Sequence, residues 1–381
     1  MTPFSLFYFL VATILTIVAL PFLLLLTFKE KYKISIPKRF FLYKNPSFQS
    51  SGVWFHVCSL GEAVSLKPLL QRLNKKVNIS VITTTGYEAA KKYNADVGFL
   101  PFESLLPFWV RKQKVLVVSE AELWYMLFFM AKIKGAKTIL MNARISDNSY
   151  QSYVKFSWFY KKIFTCIDVV FAQSEKDKTR LLEIGAKEVI VTGNIKAYGE
   201  IKVSRHFQKP SKEVITLAST HAGEEALLLE EIDYHDKKIL VVPRHPERFK
   251  EVGDMLQNFA KEKGLTYHAF SQKEDFDSDV IMIDKMGELV NIYAISDVVF
   301  LGGSFVENVG GHNPLEPAAF GCKILSGMHI FNQRPLFELV ENINIIEPWE
   351  IKEYALKDAQ KTAIKGKVDI EPIIKAIDDV V

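Results

Sequence analysis

Residues 297–321 read DVVFLGGSFVENVGGHNPLEPAAFG. The apolar run 298–301 ends in Gly302 and Gly303, and a short apolar run stopped by glycines reads as a buried strand. A second pair, Gly310 and Gly311, leads to His312, Asn313, Pro314, Leu315 and Glu316. Asparagine is a good helix cap, and proline belongs in a first helical turn. Strand, glycine loop and helix together form the repeating unit of a parallel α/β sheet. In such sheets ligands sit beyond the carboxyl ends of the strands. Free N–H groups at the helix start favour an anion, and glycines let the backbone come close to it. Glu316 is placed to accept hydrogen bonds from sugar hydroxyls.

Read outward from this stretch, the same alternation fills the chain. Strands are expected in 53–59, 77–85, 114–120, 136–144, 168–175 and 188–194. Helices are expected over 61–76, 86–94 and 123–135. The pattern restarts with strands at 213–220, 237–245, 279–284, 297–303 and 323–327, and with helices over 223–232 and 287–296. Alternating strands and helices predict an α/β fold of two Rossmann-like doubly wound domains. The polar stretch 196–212 reads as the hinge. The expected boundaries are 1–30 for an N-terminal anchor, 31–197 for the first domain and 198–381 for the second. The segment 346–367 reads as helical and is expected to pack back across the domains.

The chain has 381 residues, enough for two domains. Its 48 Lys and Arg against 44 Asp and Glu leave a net charge of +4, so nucleic acid is not an expected partner. The three cysteines, Cys58, Cys166 and Cys322, are far apart and show no metal-binding spacing, so neither a disulfide framework nor a bound metal is expected. Residues 4–28 carry no charge, and a bilayer core needs about 20 apolar residues. Lys29, Lys31, Lys33, Lys38 and Arg39 follow at once. That asymmetry predicts a transmembrane helix with the rest of the chain in the cytoplasm.

Other unusual clusters also fall at strand ends. Glu62, at the turn SLGEAV, is either a general base facing a cleft or a first-turn acid held by the helix dipole. SEAELW places Glu120 and Glu122 after a strand, and NARISD places Asn142 and Arg144 after the next. Thr84, Thr85 and Gly86 form a small anion-binding turn. PRHPERF carries Pro243 and Arg244, a guanidinium able to make paired bonds to phosphate. His245 and Arg248 either assist it or close the loop. Gly287, Glu288 and Leu289 open another helix. Ser219 and His221 lie in STHAGEE, where Glu224 and Glu225 read as capping acids. The aromatic run 153–164 is either a membrane-facing helix or core.

These segments, in this order, resemble the 3-deoxy-D-manno-octulosonic acid (Kdo) transferases of lipopolysaccharide synthesis. The resemblance rests on SLGEAVSLKPLL, TTTGYEAA, SEAELW, NARISD, GNIK, STHAGEE, PRHPERF, DKMGEL and GGSFVENVGGHNPLEPAAFG. It implies a GT-B glycosyltransferase of the inner membrane that moves Kdo from CMP-Kdo to a lipid A precursor, inverting the anomeric carbon without a metal or cofactor. It implies Glu62 as base, with Glu120 and Glu122 also catalytic. It implies CMP contacts at Pro243, Arg244, Gly287, Glu288, Leu289, Asn313, Pro314, Leu315 and Glu316. Thr85, Gly86, Arg144, Lys196, Ser219, His221, Gly303, Gly311 and His312 are expected to position donor or acceptor. Ala197 and Tyr198 depart from the aromatic-acidic pair usual after that lysine. The alternatives are a membrane-associated enzyme using a UDP-sugar and a non-catalytic nucleotide-binding clamp.

Overall fold

Valine, isoleucine and phenylalanine dominate the strands, which are buried along almost their whole length, as parallel strands covered on both faces must be. The computed structural model describes residues 2–198, 201–351, 359–366 and 368–381. Two units result: Met1–Tyr198 with Lys367–Val381, and Gly199–Gly366.

The first unit holds β1 (Val53–His56), β2 (Val77–Val81), β3 (Ala95–Phe99), β4 (Val115–Ser119), β5 (Lys137–Ala143), β6 (Val169–Ala172) and β7 (Val189–Val191). Their order is β3-β2-β1-β4-β5-β6-β7, and all pairings are parallel. The winding reverses between β1 and β4, which opens a crevice at their carboxyl ends.

The second unit holds β8 (Glu213–Thr220), β9 (Lys237–Pro243), β10 (Tyr267–Ala269), β11 (Val280–Met282), β12 (Val298–Leu301), β13 (Lys323–Ser326), β14 (Val340–Glu341), β15 (Asn344–Ile345) and β16 (Ala363–Ile364). The main sheet runs β10-β11-β9-β8-β12-β13-β15, all parallel, and reverses between β8 and β12. β14 and β16 pair separately and antiparallel.

The structure departs from the sequence reading in several places. The chain end does return to the first unit, as expected, but through the helix Glu371–Asp378 and not through 346–367. Its stripe Ile370, Ile373, Ile374 and Ile377 packs with Leu66, Leu69 and Val77 on one face of the first sheet. Each fully buried isoleucine contributes about 1.5–3 kcal/mol, enough to hold the chain end there. Within 346–367, described residues form a short 3₁₀ turn at Pro348–Glu350 and the strand β16. Residues 352–358 and 367 of that segment, and 199–200 of the expected hinge, lie outside the described residues. The helix expected over 61–76 is two, Leu60–Ser65 and Lys67–Leu73, because Pro68 begins the second. Edge strands β3, β10 and β15 were not expected from sequence.

The N-terminal helix, Pro3–Leu26, is long and apolar enough to cross a membrane. It is also seated on its unit. The Tyr8 hydroxyl donates to Glu103, and the Ser104 hydroxyl donates to Thr16 Oγ1 at 3.1 Å. Phe4 and Tyr8 meet Tyr125 edge to face. The aromatic run resolves into helices Asp147–Lys155 and Ser157–Phe164. Phe164 is core and Phe159 meets Tyr8, while Phe156 and Trp158 are exposed. Arg39 is not part of the basic surface expected after the anchor. It donates from Nε to the Leu100 carbonyl at 2.9 Å and lies over the Phe102 ring at 4.1 Å.

Candidate functional site

The crevice of the first unit is built on the turn that leaves β1. Ser59 caps the helix Leu60–Ser65, its hydroxyl facing the Glu62 N–H. Glu62 returns the favour: Oε2 accepts from the Cys58 N–H at 2.9 Å and Oε1 from the Ser59 hydroxyl at 2.8 Å. Glu62 is thus a capping acid in its bonding, and it is also only 7% exposed. Burial raises its pKa, the Cys58 and Ser59 bonds oppose this, and the charges of Glu120 and Glu122 add to the rise. Two of its four lone-pair positions stay open, so the cap and a proton acceptor coexist in one group.

Across the crevice, Glu120 follows β4 with φ 57° and pairs with Lys196 Nζ at 2.5 Å. Asn142 sets that lysine: its Oδ1 accepts the Ile195 N–H at 3.0 Å. Nothing in the sequence spacing signalled this link. Glu122 Oε2 accepts the Trp124 indole N–H at 2.6 Å. Thr83, not Thr84 or Thr85, caps the helix Thr84–Ala90. A Cβ at Gly86 would stand 3.3 Å from the Cys58 carbonyl, so this glycine brings the helix against the Cys58–Ser59 turn. Arg144 follows β5 and is partly buried.

The crevice of the second unit joins four loops. Gly302 follows β12, and a Cβ there would stand 2.7 Å from the Ser219 carbonyl oxygen at the end of β8. Glu224, fully buried, accepts N–H groups from His221 (2.8 Å), Gly303 (2.7 Å) and Phe305 (3.0 Å). It is the tie between the two loops, a role that a capping reading understates. His221 Nε2 lies 2.9 Å from His312 Nε2, and the His245 ring meets His221 at 5.2 Å. Burial lowers the pKa of both His221 and His312, the latter to about 4; the charges of His245, Arg248 and Arg244 add to the effect at His221, and those of His221, Arg244 and His245 at His312.

Arg244 is exposed, and its N–H donates to the Thr220 carbonyl. Its charge reaches His221, His312 and Glu316. Burial raises the pKa of Glu316, opposed by the Asn313 amide and Arg244. Pro314, not Asn313, is the residue at the helix cap; Asn313 lies one residue earlier, and its Oδ1 accepts the Leu315 N–H at 3.0 Å. The helix that follows, Leu315–Ala319, is only five residues long, so its dipole is a weaker anion trap than the sequence promised. Gly311 hydrogen-bonds through its N–H to Gly303 at 2.8 Å. Pro243 ends β9. Gly287 takes φ 89°, and the Glu288 side chain is occupied by Arg205 (3.1 Å) and Asn291 (2.7 Å), leaving backbone groups there for a ligand. Arg248 closes the loop rather than facing a ligand: it binds Glu225 with two bonds of 2.8 and 3.0 Å.

Residues 35–198 match the family model described as 3-deoxy-D-manno-octulosonic-acid transferase (kdotransferase). The chain is 32% identical over 349 residues to a 3-deoxy-D-manno-octulosonic acid transferase of Haemophilus influenzae, covering 83% of this chain and 80% of that protein. It is 33% identical to a bifunctional glycosyltransferase/methyltransferase of Fusobacterium nucleatum, covering 80% of this chain and 51% of that one. Among solved structures, the C-terminal CMP-Kdo binding domain of WaaA from Acinetobacter baumannii is 31% identical and covers 44% of this chain and 89% of that domain, with a TM-score of 0.34.

Proposed function

The chain belongs to the Kdo transferase family and is a glycosyltransferase, and on that premise we propose that it moves Kdo from CMP-Kdo to a lipid A precursor, lipid IVA, with inversion at the anomeric carbon. The observation that carries the mechanism is Glu62: a buried carboxylate of raised pKa, fixed by two hydrogen bonds at the point where the first sheet reverses. Glu62 takes the proton of an acceptor hydroxyl. The freed oxygen attacks the anomeric carbon of Kdo from the face opposite CMP. One C–O bond forms, the bond to the CMP phosphate breaks, and the electron pair leaves with CMP. Glu120, held by Lys196, and Glu122, held by Trp124, position the acceptor.

Arg244 and the imidazoles of His221 and His312 support the departing phosphate, and backbone groups at Gly287–Leu289 and Asn313–Glu316 hold the nucleotide. No metal takes part in this step. The apolar helix Pro3–Leu26 anchors the chain in the inner membrane. Lys29, Lys31, Lys33 and Lys38 keep both units on the cytoplasmic side and meet its anionic lipid.

The test is mass spectrometry of lipid products from the reconstituted full chain, given CMP-Kdo and a tetra-acylated lipid A precursor with chelator present. Addition of one or more Kdo units is expected and counts the transfers. Product from a UDP-sugar, with none from CMP-Kdo, overturns the donor assignment.

A further inference from the structure

One cluster beside Glu62 joins Glu122 to two residues, His56 and Cys58, that the proposed transfer does not use. His56, Cys58 and Glu122 each present one donor atom, and the three atoms lie within 4.8 Å of one another. Their chemistry is mixed: imidazole nitrogen, thiol sulfur and carboxylate oxygen, the set that a zinc-type ion accepts.

Two of the donors are already oriented. His56 Nδ1 lies 3.1 Å from the Ser80 carbonyl oxygen and 2.9 Å from the Ser80 hydroxyl; the carbonyl can only accept, which favours the tautomer with the proton on Nδ1 and the lone pair on Nε2. That lone pair is directed toward Cys58 Sγ, 4.0 Å away. The Glu122 carboxylate is held through Oε2 by the Trp124 indole N–H. A ligating imidazole bonded to a backbone carbonyl, and a ligating carboxylate with its own donor, are the supports that metal ligands commonly have. Zinc with bonds of about 2.0–2.3 Å separates a nitrogen and a sulfur ligand by about 3.6 Å in a tetrahedron. The His56–Cys58 separation needs a contraction of about 0.4 Å, and the Glu122 oxygen, within 4.8 Å of both, has to close in with it. His56 is buried, but Cys58 and Glu122 are partly exposed, which leaves a path for entry and a fourth position for water.

We infer that His56 Nε2, Cys58 Sγ and Glu122 form a site for a thiophilic divalent cation whose occupation inhibits transfer. The thiol loses its proton to solvent as the metal–sulfur bond forms. The inhibition follows from position. The Cys58 N–H holds Glu62 Oε2 at 2.9 Å, so a metal on the Cys58 side chain moves the residue that fixes the base and adds positive charge beside it.

The test is titration of the metal-free full chain with Co²⁺, read by absorption. Wild type shows one equivalent of cobalt with a thiolate-to-metal charge-transfer band, displaced by Zn²⁺. Cys58→Ser loses the band, while Cys166→Ala keeps it and controls for other thiols. Glu122→Gln keeps the band and binds roughly 10–100-fold more weakly. Zn²⁺ slows transfer by wild type and not by Cys58→Ser, each measured against its own metal-free rate. A wild type without the band, or a band that survives Cys58→Ser, overturns the inference. The optical readout does not depend on which donor the enzyme uses, so its failure and failure of the proposed function are distinguishable.

Discussion

The two crevices have the same topological origin and opposite chemistry. In the first unit the reversal between β1 and β4 gathers carboxylates: Glu62, Glu120 and Glu122, with Lys196 against one of them. In the second unit the reversal between β8 and β12 gathers His221, His245, His312 and Arg244. A doubly wound sheet thus supplies a place, not a chemistry. In the proposed mechanism, side chains at the strand ends make one place a proton acceptor and the other a seat for an anion.

The largest effect that tests this contrast is Glu62→Gln. Turnover falls about 10²–10⁴-fold, read in single-turnover kinetics. The pH dependence of the thermal midpoint that Glu62 supplies is lost. The sign follows from the raised pKa: the stabilisation from a neutral Glu62 is present below the unfolded pKa and lost as pH rises through the folded one. Glutamine keeps the neutral form at all pH. A variant that retains full turnover would transfer the base role to Glu120 or Glu122.

The next effect separates the two arginines of PRHPERF. Glu225→Ala removes the two-bond partner of Arg248 and leaves it Glu251 at 3.7 Å and the Thr220 carbonyl at 3.4 Å; the Glu225 and Arg248 side chains are 2% and 14% exposed. The variant destabilises the second unit by about 1.5–3 kcal/mol in denaturant unfolding, since part of the charge compensation remains. Arg244→Ala leaves unfolding within about 0.5 kcal/mol but weakens CMP binding roughly tenfold or more by calorimetry. Equal CMP binding in the two proteins would remove Arg244 from the anion seat.

The smallest effect is in pH dependence. The folded pKa of His312 is about 4, below its unfolded value. As pH falls, the unfolded chain takes up the proton first. The stabilisation is therefore full above about pH 6.5 and is lost on the way down to about 4. His312→Gln flattens unfolding free energy over that window and leaves Glu62 unaffected. An unchanged slope would break the assignment of the imidazole pair as the titrating element.

The central strands were legible because each is a run of branched or aromatic residues stopped by a glycine or a polar turn. β8 was read to the residue. β3, whose ADVGF carries an aspartate and a glycine, was missed because an edge strand is buried less and needs fewer apolar residues. The candidate residues were picked where a special residue follows a strand, and the structure does place Arg244 directly after β9 and Gly303 after Gly302 at the end of β12. Asn142 and Glu224 as ties were not legible, since their partners lie 53 and 79–81 residues away.

Local chemistry alone settled the alternation of elements, the apolar N-terminal helix and the glycine-proline turns, because each depends on neighbours within a few residues. Folding in three dimensions decided the rest. It spent Arg39 and Arg248 inside the protein, returned the last helix to the first sheet, and set a histidine, a cysteine and a glutamate around one point. Those outcomes depend on desolvation and on pairing between distant segments, which no local pattern encodes.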